Sequence, residues 1–198
     1  MPRPLRPPIE NGFYHVTSRG NRRCEIYRDA ADKKYFLGLL ANVVEQFGWL
    51  LHAYCLMTNH HHLVVRTPLA NISRGMQRLN SMHASWFNWR HGCCGHLFQG
   101  RFHTVDIEDQ SHFIELARYV VLNPVRAGIT DHPAGYSWSS YRSTVGAASR
   151  PSFLACDAIL EEFGPNMEAA QAAYASFVKA GIGEAVRVRS GHVPGLTR

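Results

Sequence analysis

Residues 49–57 and 60–66 both read as strands, and only Thr58 and Asn59 stand between them. A two-residue connection leaves the chain little choice but a tight antiparallel hairpin. That hairpin fixes the middle of the fold, and the flanking patterns complete it. Residues 12–18 (GFYHVTS) form a strand, followed by a loop at Arg19-Gly20-Asn21. Residues 29–47 carry Phe36, Leu37, Leu40, Val43, Val44 and Phe47 at helical spacing, and Gly48 ends that helix. A second helix covers 71–89 and a fourth strand 102–107. The order β-α-β-β-α-β is the ferredoxin-like one. The expected class is α+β, with an antiparallel sheet, helices on the sheet face, and the first and third strands central. A third helix is expected over 110–122, ended by Asn123-Pro124, because the residue before proline disfavours the α region. Further helices are expected near 154–163 and 167–180, between a proline-rich extended arm at the start and loose residues at the end.

Charge narrows the class of partner. The 198 residues carry a net charge of +6, with 18 Arg and only three Lys. The basic residues concentrate before residue 150, and the segment from 151 to 184 is acidic. A basic body rich in Arg suits phosphate and guanine contacts, and so a nucleic-acid partner. No apolar run approaches a membrane span, and the N-terminus lacks the apolar stretch of a signal peptide, so a cytoplasmic protein is expected. The five cysteines are scattered and odd in number, which argues for reduced thiols.

The third strand begins His60-His61-His62. Side chains alternate along a strand, so His60 and His62 share a face while His61 points to the other. Two imidazoles so placed can grip one metal ion. On the third helix, Phe113, Leu116, Ala117, Val120 and Val121 form a core stripe, and Tyr119 and Asn123 lie together on its flank. A phenol is a weak nucleophile that needs an electrophile polarised by a cation. A metal held by two histidines and an amide oxygen would polarise a phosphate. Arg19, Arg22, Arg23, Arg101, His103 and Arg126 are candidate DNA contacts. The loop HGCCGH (91–96) lacks the C-x₂₋₄-C spacing of a structural zinc site. His15, His52 and His83 read as structural histidines, and Phe98, Phe102, Trp138 and Tyr141 read mostly as core.

MTNHHHLVV (57–65) followed by ARYVVLNPVRAGI (117–129) resembles the REP-associated single-tyrosine transposases of the HUH (His-hydrophobic-His) superfamily. YHVTSRGNRRCEIY (14–27), GHLFQGRF (95–102) and YSWSSY (136–141) extend the likeness over roughly 10–145. The resemblance implies a catalytic domain over 1–145 and a helical extension and tail over 146–198. It implies cleavage and rejoining of single-stranded DNA hairpins, drawn from a repeated palindrome, through a 5′-phosphotyrosine intermediate. Tyr119 matches the nucleophile, His60, His62 and Asn123 the metal ligands, and Mg²⁺ or Mn²⁺ the ion. The chain departs from the pattern at His61, where relatives carry an apolar residue, and at Thr58, where many carry Pro. Two other activities stay open: a catalytically silent hairpin-binding protein, and a metal-dependent nuclease that uses water. Monomer and homodimer also stay open, with Tyr119 delivered in cis or across an interface.

Overall fold

The computed structural model describes residues 9–107 and 109–189. The expected proline-rich arm (before residue 9) and the end of the tail lie outside that range. Four strands form one antiparallel sheet: β1 (Gly12–Arg19), β2 (Leu50–Leu56), β3 (His60–Thr67) and β4 (His103–Asp106), in the spatial order β2-β3-β1-β4. The helices are α1 (Ala30–Phe47), α2 (Ile72–His91), α3 (Gln110–Arg126), α4 (Tyr141–Thr144), α5 (Asp157–Leu160), α6 (Met167–Ala180) and α7 (Ile182–Arg189). β1 and β3 are the central pair, as the element order requires. Their register sets Thr17 opposite His62 and Arg19 opposite His60.

The sheet is covered on both faces. On one side α1 and α2 pack together, and Phe36 of α1 lies 4.6 Å from the His61 ring. α1 starts cleanly because the Asp29 side chain accepts the Asp32 amide, and Gly48 ends it in the left-handed conformation (φ 64°). α2 comes close to the second strand's entrance at Gly75, where a Cβ would sit 2.1 Å from the Trp49 ring. On the other side α3 lies across β2 and β3, and its Phe113 meets Phe13 of β1 edge-on at 4.8 Å. α6 and α7 stack on α3, and α5 flanks β2.

α3 corrects one expectation: it does not stop at Asn123 but runs through Pro124 to Arg126. A proline there cannot donate to the carbonyl of Val120. The Asn123 side chain supplies a donor instead, bonding the carbonyls of Tyr119 at 2.9 Å and Val120 at 3.4 Å. The amide thus carries the helix past its own breaker. In the core stripe, Phe113, Ala117, Val120 and Val121 are buried, while Leu116 lies at the edge beneath α7.

Two buried histidines tie the fold to pH. His52 bonds the Ala155 carbonyl through Nδ1 at 2.7 Å, and His83 bonds the Ile26 carbonyl through Nε2 at 2.8 Å. Burial lowers both from 6.5 to about 4. The unfolded imidazoles take up protons near pH 6.5 while the folded ones resist. Their contribution is therefore complete above pH 6.5 and is lost as pH falls toward 4. Each costs roughly 1.4 kcal/mol per pH unit in that window. Denaturant titrations from pH 7 to 4 should show a steep fall in stability, and a flat profile would contradict this account.

Candidate functional site

The register of β1 against β3 builds one polar patch on the face under α3. His60 and His62 come from β3, and His15, Thr17 and Arg19 from β1. His103 of β4 lies opposite Thr17 and completes the row. α3 then lowers Tyr119 onto this patch. Its ring meets His62 and His15 edge-on, with centroids 5.8 Å from each. The His60 and His62 rings are 5.0 Å apart and nearly perpendicular.

Each histidine of the pair is held by its inner nitrogen. His60 Nδ1 is 2.7 Å from Asn59 Oδ1, so that nitrogen carries the proton and donates. His62 Nδ1 lies 2.9 Å from His15 Nε2 and 3.2 Å from Thr17 Oγ1. The Nε2 of His62 is buried with no hydrogen-bond partner. Burial, with Arg19 nearby, lowers His60 to about 4. Burial and the neighbouring His15 hold His62 well below 6.5. Both rings are thus neutral imidazoles at physiological pH, the form that binds metals.

His61 goes the other way. It is fully buried on the α1/α2 face, where its Nδ1 is 2.9 Å from the Tyr27 hydroxyl. Its Nε2 is also unpaired, but Phe36 and Tyr27 wall it in, away from Tyr119.

The remaining candidates divide. Asn123 follows Tyr119 by one helical turn and is nearly buried; its hydrogen bonds all go to its own helix through Nδ2. Among the described residues none donates to its Oδ1. The Arg126 guanidinium lies over the Tyr119 ring at 4.7 Å. Arg22 and Arg23 sit on a short 3-10 turn (Asn21–Arg23) beside the β2–β3 turn, and Arg101 is exposed in the segment before β4. A cavity of about 240 Å³ between α3 and α7 opens beside Tyr119, lined by His112, Arg118, Arg126 and Glu184 among others. Among the described residues no group of three or more His, Cys, Asp and Glu is placed to hold a metal ion. A set of two histidines and an amide is of a different kind.

Thr17 drew no notice in the sequence, and His15 read there as a structural histidine rather than a site residue. The signal was present as alternation: His15, Thr17 and Arg19 share one face of a strand. Which histidine they would meet needed the cross-strand register.

A family model described as "Transposase IS200 like" matches residues 9–123. No curated protein matches the sequence significantly. Among solved structures, the REP-associated tyrosine transposase bound to a REP hairpin overlays with TM-score 0.63 at 18% identity, over 76% of this chain and 89% of that one. tRNA(His) guanylyltransferase from Saccharomyces cerevisiae overlays with TM-score 0.44 at 8% identity, over 86% of this chain and 79% of that one, too loosely to bear on function. The first overlay shows a shared fold. The family match spans the three strands of the histidine patch and α3 as far as Asn123, and it makes this chain a member of the IS200-like transposases, enzymes that act on DNA.

Proposed function

We propose that this chain cleaves and rejoins single-stranded DNA hairpins with Tyr119 as nucleophile and a divalent ion, Mg²⁺ or Mn²⁺, as cofactor. The observation that carries the proposal is the convergence of Tyr119 with His60 and His62 on one sheet face. The site fits a metal. His62 offers a buried, unpaired Nε2, His60 donates from Nδ1 and so keeps the lone pair on Nε2, and Asn123 bonds through Nδ2 and leaves Oδ1 uncommitted. These three residues would hold the ion, which when bound polarises the scissile phosphate and offsets its charge.

The rest is the work of the chain. The Tyr119 hydroxyl attacks phosphorus and loses its proton to water. A P–O bond to tyrosine forms as the bond to the 3′ oxygen breaks, and that oxygen takes up a proton. The 5′ end of the downstream strand stays on Tyr119, and the freed 3′-hydroxyl can reverse the step. Arg126 beside the ring, with Arg19 and His103 along the patch, supplies positive or donating groups for the phosphates. Arg22, Arg23 and Arg101 extend that surface.

The test is incubation with a panel of hairpin oligonucleotides in Mg²⁺ or Mn²⁺. A protein–DNA conjugate that survives denaturation and fails to form in the presence of EDTA is expected. Cut DNA without a conjugate would indicate a nuclease that uses water. Tight binding without cutting would indicate a silent hairpin binder.

His15 is a positioning residue in this account. With His62 Nδ1 protonated, His15 Nε2 accepts and keeps the opposite nitrogen of His62 aimed outward. His15→Ala should weaken Mn²⁺ binding by about 10–100-fold. Electron paramagnetic resonance titration of the protein without DNA reads this directly, and an unchanged affinity would remove His15 from the site.

A further inference from the structure

A second cavity, of about 360 Å³, opens beside His60 and the C-terminal end of α3. Met57, Thr58, Asn59, Ala127 and Ile129 line it, and Arg23 and Glu25 are its charged residues. Ile129 is 51% exposed, an apolar surface left bare beside a polar site. The segment that carries Arg23 is built rather than loose. Arg22 and Arg23 are held at positive φ (51° and 61°), a conformation that costs a non-glycine residue strain. The turn that carries His60 holds them there. Asn59 Nδ2 donates to the Arg23 carbonyl at 2.9 Å, and the Gly20 amide donates to the Asn59 carbonyl at 2.8 Å. The amides of Ile26 and Tyr27 both reach the Thr58 carbonyl, at 3.0 and 3.1 Å. The cavity and the candidate metal ligand therefore share one rigid frame.

Glu25 gives this cavity its chemistry. It is exposed, and neither it nor Arg23 is in an ion pair among the described residues. A carboxylate repels phosphate but accepts hydrogen bonds from an exocyclic amine. Ile129 and Ala127, both exposed, offer apolar surface to the flat face of a ring, and Arg23 offers donors to ring acceptors. A nucleobase satisfies all three demands at once.

We infer that this cavity binds the unpaired base of a nucleotide next to the scissile phosphate, with Glu25 selecting an amine-bearing base (guanine, adenine or cytosine) over thymine. The inference rests on the reading of Tyr119 and the histidines as the cleavage site, and it makes Glu25 a specificity-determining residue. Thymine offers a single ring N–H and no amine, so it leaves the carboxylate under-bonded.

The test is selection from hairpin oligonucleotides with randomised single-stranded flanks, using the wild-type chain, Glu25→Ala and Glu25→Gln. Retained pools are sequenced, and each pool is also assayed for covalent attachment. The wild-type pool should be depleted of thymine by about tenfold at one flank position, the size of one good base-edge contact. Glu25→Ala should lose that depletion at that position alone, with preferences elsewhere intact, which also shows that the variant is folded. Glu25→Gln should retain part of it through its amide oxygen. Identical preferences in wild type and Glu25→Ala would overturn the inference, as would a wild-type pool with no thymine-depleted position. If base selection depends on Glu25 but no conjugate forms in any pool, the pocket stands and the cleavage reading falls. If conjugates form without such selection, the reverse holds.

Discussion

Tyr119→Phe is expected to abolish covalent attachment of DNA while leaving the fold and hairpin binding nearly unchanged. The change removes one hydroxyl and keeps the ring, and the ring makes the structural contacts. It meets His15 and His62 edge-on and lies under the Arg126 guanidinium. No hydrogen bond ties the hydroxyl to another described residue, so its loss breaks nothing in the protein. A nucleophile is a different matter, because no other hydroxyl in the patch could form the same bond from the same helix. Gel-shift and denaturing-gel assays on one hairpin separate the two readouts. Conjugate formed by Tyr119→Phe at the wild-type rate would show that the nucleophile lies elsewhere.

His61→Ala and His62→Ala are expected to give opposite phenotypes, although the residues are neighbours. His61 is buried against Phe36 and bonded to the Tyr27 hydroxyl. Truncation leaves a cavity and an unpaired phenol, a cost of about 3 kcal/mol. The polar patch stays intact, so metal-dependent conjugation should persist below the lowered melting temperature. His62→Ala breaks the Nδ1 contacts with His15 and Thr17 but also removes a buried Nε2 that has no protein partner. Whatever its cost in stability, Mn²⁺ affinity and conjugation should be lost. Thermal melts beside Mn²⁺ titrations check both arms. Loss of metal binding in His61→Ala at a temperature where it is folded would mean that β3 presents the other face of the triplet.

The hairpin at Thr58-Asn59 and the helical spacing on either side made the sheet order legible from sequence, because each signal is local. Tyr119 and Asn123 were legible as a flank pair for the same reason: one turn of helix fixes their relation. Other features were not. The extension of α3 through Pro124 depends on the Asn123 amide replacing a backbone donor, which the general rule about residues before proline does not contain. His15 read as an ordinary structural histidine because only the β1–β3 register brings it to His62. The cavity beside His60 joins residues 23–25, 57–60 and 127–129, three segments that no periodicity links. The late acidic segment gave the helix at 167–180 but not its seat on α3, and α7, where the sequence read as loose, packs on α3 beside the cavity that Tyr119 lines.

The central claim is that Tyr119, served by His60 and His62, becomes joined to the 5′ end of cut DNA. Peptide mass spectrometry of the conjugate formed in Mn²⁺ tests it most directly. The account predicts a single modified peptide containing Tyr119, carrying the nucleotide immediately 3′ of the cut through a phosphodiester. A modification on any other residue, or cut DNA with an unmodified Tyr119 peptide, would contradict it.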